Sequence, residues 1–185
     1  GARGALPHAD AMLSDLSRLI DAVQDRATGP LVLLGHSMGG LIASRFVAEG
    51  LAAQPALWWR EVDALVLSSP ALDPGMSGAQ KLLLALLGRL APNLAMNNGL
   101  KPAWISRDVA VVRAYVADPL VHDRITPALA RFVVDAGAQV RRVAPAWRVK
   151  TLLLYAGSDR CVAPAGSVAF AAAALIAIEP AILKD

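Results

Sequence analysis

Cysteine, charge and aromatic residues are all scarce in this sequence, and each shortage removes a class of explanation. Cys161 is the single cysteine of the 185 residues, so no disulfide can form within the chain, and there are no paired Cys/His spacings of the kind a zinc site uses. The three histidines, His8, His36 and His122, are isolated from one another. Charged residues make up 18% against 56% apolar, a balance that excludes a disordered or solvating chain. Long apolar runs are missing too. The longest, residues 168–178, is mostly alanine and falls well short of the roughly 20 residues needed to cross a bilayer. The basic excess is small, 18 Lys and Arg against 15 Asp and Glu for a net charge of +3, and the cations are scattered among acids. Their densest group, Arg141, Arg142, Arg148 and Lys150, has only Trp147 as an aromatic and is expected to be a solvated connection, so nucleic acid is not an expected partner. Nor is there an initiator methionine, or a leader with basic and apolar regions; residues 1–7 read like the interior of a longer sequence. The length allows one domain, or part of a larger one, with a sizeable core.

What is present is a set of short apolar runs alternating with helical periodicity. From residue 9 to 26, Met12, Leu13, Leu16, Leu19, Ile20 and Val23 recur every three or four positions. This spacing predicts an amphipathic helix, which Thr28-Gly29-Pro30 ends. Residues 31–34 form a continuous apolar run of strand length, followed by Gly35-His36-Ser37-Met38-Gly39-Gly40 and a second helical pattern through Leu41, Ile42, Phe46 and Val47. Residues 64–67 and 151–155 repeat the strand signal, ending in Ser68-Ser69-Pro70 and Ala156-Gly157-Ser158-Asp159. Fully buried strands alternating with helices imply an α/β architecture with a parallel sheet. Between residues 71 and 145 the strand signal disappears and helix signals replace it. Residues 81–90 are apolar on nearly every side. Ser106 is a candidate cap for a helix to about residue 116, with Asp108 in its first turn, and Thr126-Pro127 is an N-cap followed by proline at the first helical position. This stretch is expected to be a helical insertion between two strands of one sheet, with residues 82–87 facing something apolar.

The strand-to-helix junction carries the chemistry. A G-x-S-x-G pattern there is a nucleophile elbow: small residues at Gly35 and Gly39 allow a sharp turn that projects the Ser37 hydroxyl above the sheet. The backbone N–H of the next residue, Met38, lies at a helix N-terminus and points where a tetrahedral oxyanion would form. A phosphate-binding turn is the competing reading of such glycines, but the Walker lysine and the G-x-G-x-x-G spacing are both absent. A serine nucleophile needs a base, and the base needs an orienting acid. Asp159, after the last strand run, is in position for the acid. On spacing alone it could equally be an ordinary turn aspartate, and Asp73, after the preceding strand, is its rival. No histidine follows Asp159 in the sequence. His36 adjoins the serine, His122 belongs to the insertion and His8 precedes the first helix, so none is well placed as the base.

Beyond the elbow, several further pieces stand together: S-S-P-A-L after the second strand, A-P-N-L and I-S-R-D in the insertion, Tyr115 followed by Asp118-Pro119-Leu120, and L-L-L-Y-A-G-S-D-R near the end. With these the chain resembles the monoacylglycerol lipase and lysophospholipase branch of the α/β-hydrolase superfamily, which includes serine aminopeptidase-like hydrolases. The resemblance implies a partial α/β-hydrolase fold, with core at residues 1–70 and 146–185 and a helical cap at 71–145. It makes Ser37 the nucleophile, Asp159 the triad acid and the Met38 N–H one oxyanion donor. It implies a single-acyl lipid ester as substrate, no metal or organic cofactor, peripheral membrane contact through the cap, and a cytoplasmic or membrane-surface location. An elbow serine rather than aspartate argues against epoxide hydrolase or dehalogenase chemistry. The chain also departs from the family, in which four strands and a His-Gly loop precede the elbow and the triad histidine follows one more strand. Here one helix precedes the elbow, and residues 175–185 resemble neither that strand nor the histidine loop. The expectation is therefore an inactive fragment with exposed sheet edges. The alternatives are a non-catalytic lipid-binding or interaction remnant, or another carboxylesterase or peptidase of the superfamily.

Overall fold

The computed structural model describes residues 3–174 and 178–183. Helix α1 (Ala11–Gln24) leads into β1 (Val32–His36), and α2 (Met38–Glu49) follows the Ser37 turn before β2 (Ala64–Ser68). The insertion contains α3 (Gly78–Leu90), a short β3 (Met96–Asn97), a 3-10 turn at Pro102–Trp104, α4 (Val109–Ala117), a short β4 (Arg124–Ile125) and the long α5 (Pro127–Val143). The chain then returns through β5 (Lys150–Ala156), α6 (Pro164–Ala173) and β6 (Ile178–Leu183). The four longer strands form one sheet in the order β1-β2-β5-β6, parallel throughout. Parallel neighbours need crossovers; α2, the insertion with α5, and α6 supply them.

Register fixes which side chains share a face. Leu33, Leu65 and Thr151 lie in one row, and Gly35, Leu67 and Leu153 in the next. The residues between them, Val32, Leu34 and His36 with their partners Val66, Ser68, Leu152 and Leu154, point the other way. The first face holds the core: Leu65, Leu67 and Leu153 pack with Leu41 and Phe46 of α2, Val140 of α5 and Phe170 of α6, all essentially buried. Trp147 closes one end edge-on to Phe170, with centroids 4.9 Å apart, and its indole N–H donates to Thr151 Oγ1 at 3.0 Å. Among the described residues the opposite face is the open one, with Leu34 at 74% and Val32 at 52% exposure and Val66 and Leu154 partly covered. The sequence pattern implied fully buried strands, and here they are covered mainly on one side, because every helix contacting the sheet packs on the Leu65–Leu153 side.

Other expectations need correction. Residues 178–183, read as a tail unlike a strand, pair with β5 from Thr151 to Ala156. Pro180 is tolerated there because β6 is an edge strand of this sheet. Residues 175–177 and 184–185 of that tail lie outside the described residues. The insertion is not purely helical, since β3 and β4 pair antiparallel. Strands of two residues are too short to leave a periodic signal. In α4 the cap is Asp108, whose Oδ1 accepts from Ala110 N at 2.7 Å, while Ser106 Oγ accepts from Asp108 N at 3.1 Å. Thr126 does cap α5, accepting from Leu129 N at 3.3 Å with Pro127 at the first position. Arg141 and Arg142 fall in the last turn of α5 and Lys150 in β5, so the basic group is not one connection.

Candidate active site

Ser37 is the hinge between β1 and α2, with φ 51° and ψ −120°, a region that residues bearing a Cβ rarely occupy. Three backbone hydrogen bonds fix it. Its N–H donates to Ser68 O at 2.9 Å, and its carbonyl accepts from Leu41 N at 3.1 Å and Ala71 N at 2.9 Å. Of the two motif glycines only Gly35 is sterically tight, and the second tight position is Gly40 rather than Gly39. A Cβ on Gly35 would stand 2.6 Å from Gly39 O and 2.7 Å from Gly40 Cα, and one on Gly40 would stand 2.9 Å from the Pro70 Cβ. One on Gly39 would meet nothing within 4 Å. Met38 opens α2, so its N–H is one of those with no acceptor inside the helix.

Asp159 lies three residues past β5, in a loop wound around its own side chain. Its Oδ1 accepts from Cys161 N at 2.8 Å and Val162 N at 3.0 Å, which fixes the carboxylate's orientation. Val162 anchors the loop in the interior. Cys161 is half-buried, and burial, together with the neighbouring Asp159 charge, pushes its thiol above the ordinary value. Asp73 is engaged differently: Oδ1 accepts from Gly75 N at 2.9 Å in the turn after β2, and its Cβ is 2.7 Å from where Gly166 of α6 would carry one. The register His36–Ser68–Leu154 brings the ends of β1, β2 and β5 level. Ser37 and Asp159 thus rise from the same sheet end, on strands about 10 Å apart at the usual inter-strand spacing, room for one side chain between them.

None of the histidines occupies that gap. His36 Nδ1 lies 3.1 Å from Ser68 Oγ on the open face. His122 Nδ1 accepts from Arg124 N at 3.2 Å, and exposed His8 gives its carbonyl to Ala11 N at 3.1 Å. A cavity of about 610 Å³ lies elsewhere, between the N-terminal segment and α5, bordered by His8, Arg45 and Phe132 but by neither Ser37 nor Asp159. Among the described residues no cluster of His, Cys, Asp and Glu could hold a metal ion. One neighbour left no mark in the sequence spacing: Trp104 of the insertion, whose carbonyl oxygen is 3.6 Å from Cys161 Sγ.

A parallel sheet crossed by helices, with a strained serine where strand turns to helix, defines an α/β hydrolase fold. The chain belongs to the family described as serine aminopeptidase, S33, which it matches over residues 1–179, and within it to the monoglyceride lipase-like branch. It is 35% identical over 166 residues to the monoacylglycerol lipase of Mycolicibacterium smegmatis, covering 84% of this chain and 56% of that protein. With the monoglyceride lipase of Homo sapiens the identity is 31% over 162 residues, covering 85% of this chain and 47% of that one. The crystal structure of Paleococcus ferrophilus monoacylglycerol lipase superposes with TM-score 0.77 at 30% identity, over 93% of this chain and 65% of that one. The chain therefore spans about half the length of these curated relatives.

Proposed function

We propose that this chain is the elbow, cap and acid-bearing part of a serine ester hydrolase acting on single-acyl lipid esters. The observation that carries the reading is the backbone of Ser37: a serine held at positive φ between a parallel strand and a helix has the strained geometry that a nucleophile elbow uses. In this reading Ser37 Oγ attacks the ester carbonyl, the Met38 N–H receives the developing oxyanion, and the alcohol leaves with a proton. Water then hydrolyses the acyl-enzyme. Asp159 orients the histidine that carries the proton, and that histidine comes from sequence beyond these 185 residues, since His8, His36 and His122 are placed elsewhere. The relatives named as monoacylglycerol lipases support a monoglyceride-type substrate.

Residues 71–145 are the cap in this proposal, anchored through α5, whose Ala136 and Val140 belong to the core cluster. Helix α3 turns only Leu84 inward and leaves Leu82, Leu83, Leu86 and Leu90 exposed. The apolar surface that residues 82–87 were expected to face is not within the fold, and we place it at a lipid surface. Among the described residues no helix is long and apolar enough to cross a membrane.

A fluorophosphonate probe, which reacts only with activated serines, tests the reading. The protein read from its whole gene should be labelled and should hydrolyse long-acyl monoglycerides, and Ser37→Ala should lower kcat about a millionfold with the fold retained. The 185-residue chain alone should remain unlabelled, because a neutral hydroxyl without a base is a poor nucleophile. A Ser37→Ala enzyme that keeps most of its activity would make the elbow structural. Vesicle binding with no labelling of the whole protein would favour a lipid-binding remnant.

A further inference from the structure

We propose that Trp104 is a positioning residue for Asp159, a clamp by which the cap fixes the loop that carries the acid. The inference rests on the reading of Asp159 as the orienting acid, and it concerns two segments that the sequence keeps far apart. Trp104 ends the 3-10 turn Pro102–Trp104 of the cap. The loop after β5 is wound by Asp159 itself, whose Oδ1 takes the N–H groups of Cys161 and Val162. Because both bonds fall on Oδ1, Oδ2 is the oxygen left to face an imidazole. The two residues that separate Asp159 from Val162 both meet Trp104. The Arg160 guanidinium carbon lies 5.5 Å from the centroid of the indole ring, and Cys161 Sγ lies 3.6 Å from the Trp104 carbonyl oxygen, to which the thiol donates.

The ring holds two cations at once, since Lys101 Nζ also lies 5.5 Å from its centroid. The negative face of an indole attracts cations within about 6 Å. Removing the ring therefore leaves Arg160 and Lys101 as like charges with nothing between them to favour their approach, and the Arg160 end of the loop loses its partner. The other end stays fixed through Val162, so the loop would swing at Asp159 rather than unfold. A carboxylate that must meet an imidazole within hydrogen-bond reach is sensitive to such a swing, since a displacement of about 1 Å can cost on the order of a hundredfold in rate. This places control of the acid partly in the cap.

Cys161 is the only cysteine, which makes its thiol a reporter of the loop that does not depend on catalysis. Half-buried and with its thiol pushed up, it should react slowly with Ellman's reagent in the native 185-residue chain at pH 8. Trp104→Ala should speed that reaction at least about tenfold toward the rate in denaturant, as a loss of local protection. Trp104→Phe, which keeps a ring, should stay within about threefold of the native rate. Arg160→Gln, which keeps Trp104, should fall between them and serves if Trp104→Ala does not fold. Unchanged labelling in both Trp104→Ala and Arg160→Gln would overturn the clamp. In the protein read from its whole gene, Trp104→Ala should lower kcat with little change in KM. It should also move the acidic limb of the kcat/KM profile to lower pH, because a loosened Asp159 stabilises the imidazolium less. Faster labelling with an unmoved profile and kcat would leave only a packing contact and overturn the positioning role. Asp159→Asn in the same assay separates the two ideas: if it keeps full activity, the assignment of the acid fails whatever Trp104 does.

Discussion

At Ser37, holding a residue with a Cβ at φ 51° costs about 1–3 kcal/mol. The three backbone bonds from Ser68, Leu41 and Ala71, at about 1 kcal/mol net each, are together large enough to offset that strain. The turn also depends on the backbone approach at Gly35. Gly35→Ala would press a methyl into Gly39 O and Gly40 Cα, both backbone atoms that cannot rotate away, and should destabilise by about 1–3 kcal/mol as other overpacked sites do. Gly39→Ala meets open space inside a helix and should be neutral or stabilising by about 0.5–1 kcal/mol. Urea midpoints of the two variants decide this, and equal losses would mean that the motif's second glycine is needed after all. The strand-to-helix turn at Ser37 was thus legible as a motif, but which glycines carry the steric load was not, because that depends on Pro70 and on the path of α2. For the proposed acid, Asp159 and Asp73 were both open on spacing. Asp159→Asn should lower kcat/KM of the whole-gene enzyme by about a thousandfold or more and Asp73→Asn little. The reverse ranking would transfer the role to Asp73, whose carboxylate serves a local turn.

Among the elements, those with strong periodicity or chemical punctuation were legible, such as α1 from its three-and-four spacing and α5 from Thr126-Pro127. Those set by partners were not. β3 and β4 exist only because Met96 and Ile125 meet, and β6 exists because the edge of β5 is there to receive it. Helix α3 shows the opposite case, where the helix was legible but, among the described residues, only Leu84 of its leucines is buried. Its capping box of Ser77 and Gln80 makes it a secure helix, so leucines at 49–82% exposure are not needed to hold it together. Leu82 and Leu86 are one turn apart and share a face. Replacing both with serine should leave thermal stability nearly unchanged. It should weaken binding of the 185-residue chain to phosphatidylcholine vesicles by about a hundredfold, at roughly 1.5 kcal/mol for each leucine half withdrawn from lipid. Co-sedimentation measures this; unchanged vesicle binding would free α3 of any lipid role.

For the whole molecule, the open sheet face is the largest departure from what its residues specify. Val32, Leu34, Val66, Leu152 and Leu154 are as apolar as the covered row, and strands apolar on both faces belong to sheets covered on both. β1 also has an unpaired edge in the sheet described, next to Leu34 at 74% exposure. The chain spans about half the length of its curated relatives, and in a protein of their length further strands and helices would be placed to cover this face and edge. That assignment predicts a reversal of sign for one substitution. In the 185-residue chain, Leu34→Lys places a charge on a sticky, half-paired edge and should suppress self-association, the way native edge strands are blunted. Light scattering and gel filtration should show a larger monomer fraction than for the parent chain. In the protein read from its whole gene, the same lysine would sit between sheet and covering helices without a partner, and should destabilise by about 3–5 kcal/mol, the cost of an uncompensated buried charge. Chemical denaturation of both forms gives the comparison. A Leu34→Lys protein of full length as stable as its parent would show that this face meets solvent in the complete molecule, and that its leucines serve a partner other than the rest of the chain.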